Sequence, residues 1–139
     1  MIEKRNEIEI VGNIEDIWHV LTDLAYYEAW NPIIYRAVGK IEMGEEVVIT
    51  AHQQNFNVKV AQHEPLHVFS WKFYELAPFL YRGEHIFRLE AIDEQKVLFI
   101  DREIFEGLLA PFKVENPKST IAPGMMKMGQ ALKVRIENE

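Results

Sequence analysis

From Ile33 to Glu106 apolar side chains recur at alternate positions, and only turn residues interrupt the rhythm. A period of two sends successive side chains to opposite faces of a strand, so this long stretch commits the chain to a sheet. Its breaks divide it into a meander. Ile33 to Ile41 is closed by Met43 and Gly44, Glu46 to Gln53 by Gln54 and Asn55, and Phe56 to His63 by Glu64 and Pro65. His67 to Tyr74 and Tyr81 to Ala91 then flank the segment Leu76 to Leu80, and Asp93 to Gln95 turns tightly into Val97 to Glu106. Ahead of the meander, Glu7 to Val11 alternates as one more strand, with Ile8 and Ile10 on its apolar face, which makes seven.

Two stretches carry a helical period instead. Gly12 and Asn13 end the first strand, and Asn13 is placed to cap a helix with Ile14, Ile17, Trp18, Leu21 and Leu24 on one face. Glu15 and Asp16 suit the positive end of its dipole. A second short turn, Ala25 to Ala29, stops at Trp30, Asn31 and Pro32. After Gly107 the spacing becomes irregular through Pro111 and Pro117, until Pro123 opens a closing helix. There Met125, Met128, Leu132 and Ile136 form a stripe, with Lys127, Lys133 and Arg135 off it. Roughly fifteen such residues span on the order of 22 Å, enough to lie across a curved sheet.

The chain has 139 residues, room for a single core. Its net charge of −7, with basic residues scattered singly, argues against nucleic acid as a partner and against docking on an anionic membrane. The absence of cysteine excludes disulfides, thiolate metal sites and a Cys nucleophile, and a reducing cytoplasm is the expected location. No apolar run is long enough for a signal peptide or a membrane span, so integral membrane association is not expected.

Local motifs add a likeness. Ile17, Trp18, Leu21, Thr22 and Asp23 on the first helix precede Tyr27, Trp30, Asn31 and Pro32, an aromatic followed by Trp-Asn-Pro. Gly39, Ile41 and Gly44 mark a turn, Phe69 and Trp71 an apolar-x-Trp strand, and Gly83, His85, Phe87 and Leu89 a Gly-x-His-x-Phe-x-Leu strand. Glu103, Phe105 and Gly107 complete a Glu-x-Phe-x-Gly ending. In order and spacing, across nearly the whole chain, these motifs resemble the START-like (SRPBCC) superfamily, in particular its polyketide cyclase/dehydrase and lipid-transport branch. The resemblance implies an α+β helix-grip fold. One START-like domain over residues 1–139 would wrap a seven-stranded curved antiparallel sheet around the long C-terminal helix, with two short helices between strands 1 and 2.

In such a fold one face of each strand points at the helix, and the matched motifs set the phase. Phe69, Trp71 and Phe73, then His85, Phe87 and Leu89, then Phe99, Asp101, Glu103 and Phe105 are expected inside, with Trp30 closing one end. Met125, Met128 and Leu132 would form the helix side, where methionine makes an adaptable wall. These side chains either pack on one another or line a ligand cavity. The polar ones on that apolar face are the informative ones. His85, Asp101 and Glu103 each need a partner, water, a cation or a raised pKa, and they are the candidates for acid and base work. Ser70 belongs to the opposite face, so covalent catalysis has little support. His52, His63 and His67 stand in no metal-ligand pattern, single glycines make no phosphate cradle, and neither metal nor cofactor is implied.

The pattern therefore favours a carrier or sensor of a small hydrophobic molecule such as a lipid, polyketide or aromatic metabolite, held between sheet and helix. Two alternatives stand beside it. One is a cyclase or dehydratase using Glu103 with His85 or Asp101; the other is an interaction module resembling Hsp90-activator domains. An edge strand would also allow two copies to pair as a homodimer.

Overall fold

The structure is a computed structural model that describes residues 1–138. Seven antiparallel strands form one sheet: β1 (Ile2–Val11), β2 (Arg36–Val38), β3 (Glu46–Ala51), β4 (Gln54–Glu64), β5 (Val68–Glu75), β6 (Tyr81–Asp93) and β7 (Lys96–Glu106). Their order is β1-β7-β6-β5-β4-β3-β2, so the meander runs unbroken from β2 to β7 and β1 returns to close on β7. Between β1 and β2 come α1 (Ile14–Thr22), a 3-10 turn (Leu24–Tyr26) and α2 (Tyr27–Trp30). After β7 come α3 (Ala110–Val114) and the long α4 (Ile121–Glu137).

The cap of α1 is the predicted one. Asn13 Oδ1 accepts a 2.8 Å bond from the Asp16 backbone N–H, one of the donors a helix start leaves open. The helix ends at Thr22, and Leu24 belongs to the following 3-10 turn.

Several other element boundaries also differ from the pattern. β1 begins at Ile2 and not at Glu7, because the inward positions Lys4 and Asn6 are polar and hide an alternation that the ladder to β7 enforces. β2 is three residues long and not nine, because buried Asn31 accepts the Ile33 and Ile34 N–H groups at 3.0 and 2.9 Å and holds that backbone in a turn. The β3–β4 hairpin turns at His52 and Gln53, both at positive φ (52° and 64°), not at Gln54 and Asn55, which join the ladder. Two left-handed residues give the twist that a two-residue hairpin needs, a geometry the residue types do not advertise. Finally, α4 begins two residues before Pro123, and Pro111 lies in the first turn of the separate helix α3.

Bulges interrupt the ladders only near Ala61 and Ile92, away from the centre of β6 and β7. The phase therefore survives, and the ten residues expected inside share the concave face. Phe69, Phe87 and Asp101 stand in one cross-strand row, and Trp71, His85 and Glu103 in the next. On the other face, Ser70 Oγ donates to Glu84 at 2.6 Å, and Arg102 pairs with Glu3.

Candidate functional site

The helix does not cover the concave face evenly. α4 presses on β1, where Gly129 brings its backbone so close that an added Cβ would come within 3.1 Å of the Asn6 side chain. That close seat on the β1 side leaves a space over the middle strands, and the space is a cavity of about 220 Å³. Its walls include Ile49, Val58, Trp71 and Phe105 from the sheet and Met125 and Met128 from α4. Gly83 shapes one wall, because the Phe73 ring lies where its side chain would be, 2.6 Å from a built Cβ. The volume exceeds the roughly 150 Å³ that accepts benzene and falls below the roughly 300 Å³ where pockets for drug-sized ligands begin.

Three polar side chains stand together on this wall. His85 Nε2 lies 2.5 Å from Asp101 Oδ1, and its Nδ1 lies 3.2 Å from Glu103 Oε1. The ring is held from behind by Phe87, stacked at 4.0 Å between centroids, and its edge meets Trp71. Burial opposes the imidazolium, but the two carboxylates and the bond to Asp101 outweigh it and hold the His85 pKa at about 9. The Glu103 carboxyl pKa is raised as well. Its burial raises the carboxyl pKa, His85 lowers it and Asp101 raises it further. Desolvation, and then the Asp101 charge, push the Tyr27 phenol upward as well; its hydroxyl donates to the Leu21 carbonyl at 2.5 Å. Asp101 is fully buried, and its Oδ2 has no hydrogen-bond partner among the described residues.

Of the side chains expected at a ligand, Trp71, Phe73, His85, Glu103, Met125 and Met128 line the cavity together with Asp101. Phe69, Phe87, Phe99 and Leu132 lie beyond it in packed core, each at 0% exposure. Trp30 sits outside the cavity, edge-on to Tyr27 at 5.2 Å. The sequence reading passed over Tyr81, Ile33 and the β3–β4 residues Ala51, His52 and Phe56, all of which also line the space. Alternation could have found Ala51 and Tyr81. His52 is there only because of the hairpin's left-handed turn.

Among the described residues no cluster of His, Asp and Glu is arranged to hold a metal ion, and no helix is long and apolar enough to cross a membrane. No protein-family model and no curated protein sequence matches the chain. Solved structures do match it in shape. A hypothetical protein from Helicobacter pylori superposes with a TM-score of 0.83 at 12% identity, over 97% of this chain and 88% of its own. Norcoclaurine synthase from Thalictrum flavum, solved with dopamine and hydroxybenzaldehyde, gives 0.74 at 12% identity over 99% and 87%. The Aha1 dimer from Colwellia psychrerythraea gives 0.73 at 17% identity over 99% and 97%. With the strand order and the helix lying against the concave face, these likenesses show that the chain has the START-like, helix-grip fold, as its resemblance to the SRPBCC superfamily implied.

Proposed function

We propose that the protein binds a small, largely apolar molecule in the space between the sheet and α4, as a carrier or sensor. The observation that carries this reading is an apolar cavity of about 220 Å³ kept open beside an otherwise close-packed core. The volume suits a ligand of one or two rings better than a long acyl chain or an extended polyketide, so an aromatic metabolite is the favoured class. A fold shared with a synthase solved around two single-ring compounds supports the same size class.

Native mass spectrometry of the purified protein, followed by solvent extraction, tests the reading. The expected result is a small copurifying molecule, or uptake of an added single-ring hydrocarbon seen as shifts in the methyl resonances of Met125 and Met128. A protein that carries nothing and takes up no such probe would end it.

A second reading has its own support in the polar wall. A carboxylate beside an imidazolium in one cavity can take a proton from a carbon next to a ketone while the imidazolium gives one to the ketone oxygen, forming the enol. Deuterium uptake from D2O into cyclohexanone, above the buffer rate and lost in Glu103→Gln, is the expected sign. A rate equal to buffer alone would count against it.

A further inference from the structure

Acceptors outnumber donors at the polar wall. Asp101 and Glu103 together present four carboxylate oxygens, whereas His85 has two ring nitrogens, each already facing one of them. One imidazolium can balance one carboxylate only. No lysine or arginine lines the cavity among the described residues. Lys4 stands opposite Glu103 in the β1–β7 ladder but makes no ion pair with it. The remaining charged or titratable groups do not supply the missing cation. Glu75 at the wall is held by Lys113 at 2.9 Å, His52 lies exposed in its turn, Tyr27 is committed to the Leu21 carbonyl, and Tyr81 is neutral. The part of α4 that faces the space offers Ile121, Gly124, Met125 and Met128, none of them charged. Meanwhile Asp101 Oδ2 is buried without a partner, a position that costs free energy unless something donates to it.

We infer that the ligand of this cavity carries a protonated amine on a small ring-sized apolar body, with the ammonium seated against Asp101 and Glu103. The inference rests on the cavity reading proposed above and specifies the polar end of its ligand. It also gives the raised Glu103 pKa a role: without ligand, a proton on Glu103 can stand in for the missing cation, and an arriving ammonium displaces it. Selection follows from the same balance. An ammonium removes the charge deficit, an alcohol offers a donor but no charge, and a hydrocarbon leaves Asp101 Oδ2 as it is.

Three probes of nearly one shape separate these cases: benzylamine, benzyl alcohol and toluene, titrated calorimetrically into the full chain near neutral pH. Benzylamine is expected to bind at least about tenfold more tightly than either of the others, because a charge-assisted bond to a buried carboxylate exceeds a neutral one by that much. In Glu103→Gln and in Asp101→Asn that advantage should vanish while toluene binding stays. Circular dichroism shows whether each variant is folded; where Asp101→Asn is not, Glu103→Gln carries the test, since Glu103 is 18% exposed and its exchange for Gln is nearly isosteric. Equal affinity for the three probes, or unchanged benzylamine affinity in folded Glu103→Gln, overturns the inference and leaves the apolar cavity standing. Failure of all three probes to bind overturns both.

Discussion

The two halves of the concave face are built from the same residue types and pack differently. On one side Phe87 is the hub of a filled cluster, stacked on Phe69 at 4.7 Å and lying parallel to Phe99 at 6.5 Å, with Leu132 of α4 also fully buried. On the other side Trp71, Phe73, Met125 and Met128 surround a void, and where the two halves meet, two adjacent rows bring Asp101 beside Phe87 and Glu103 beside His85. An aromatic in a strand does not therefore declare whether it is core or ligand wall. What decides is how far the helix stands off, and Gly129 draws α4 to the β1 side. The filled half gives the domain its stability, while the hollow half gives up packing to keep room for a ligand.

Substitutions can break this contrast. The largest effect is expected in the filled half: Phe87→Ala should destabilise the protein by about 4 kcal/mol in urea unfolding, because it empties a fully enclosed site. A loss comparable to that of a surface substitution would mean that the two halves do not differ. Next, His85→Gln leaves Asp101 and Glu103 without their cation and should cost about 3 kcal/mol, read from the same unfolding curves.

The His85 charge also sets a pH window. Its folded pKa of about 9 lies above the unfolded value of 6.5, so its stabilising contribution is complete below pH 6.5 and is lost as pH rises through 9. Unfolding midpoints should fall over that interval in the native protein, and this fall should be absent in His85→Gln.

In the hollow half the sign reverses. Ala51→Leu directs added apolar volume into the cavity and should stabilise the fold by about 1 kcal/mol while abolishing uptake of ring-sized probes. A destabilised Ala51→Leu would mean that the space cannot accept a few carbons without strain. The smallest effect sharpens the rest as a control: Arg88→Ala, in an exposed pair with Glu90, should change stability by no more than about 0.5 kcal/mol.

Much of the architecture was legible before any coordinates. The alternation from Val97 to Glu106 set the side-chain phase of β7 because no bulge disturbs its ladder to β6 before Ala91, and so Asp101 and Glu103 were placed with His85 on one face. The cap at Asn13 could be read because its signal is local. The start of β1 could not, since Lys4 and Asn6 break the apolar rhythm on the inward side. The shortness of β2 was hidden in the side chain of Asn31, whose bonds to the next backbone segment have no counterpart in periodicity. Trp30 was expected to close one end of the cavity, yet it lies outside it, edge-on to Tyr27 in α2.

The sequence by itself determined the strand count, the meander, the closing helix and which residues face inward, because each follows from the spacing of neighbouring side chains along one backbone. Only the tertiary structure decided where the helix stands off from the sheet, that His85 bridges two carboxylates, and that one oxygen of Asp101 is left unpaired. Those are distances between elements remote in the chain. They depend on how a whole layer seats on another, and local spacing carries no record of it.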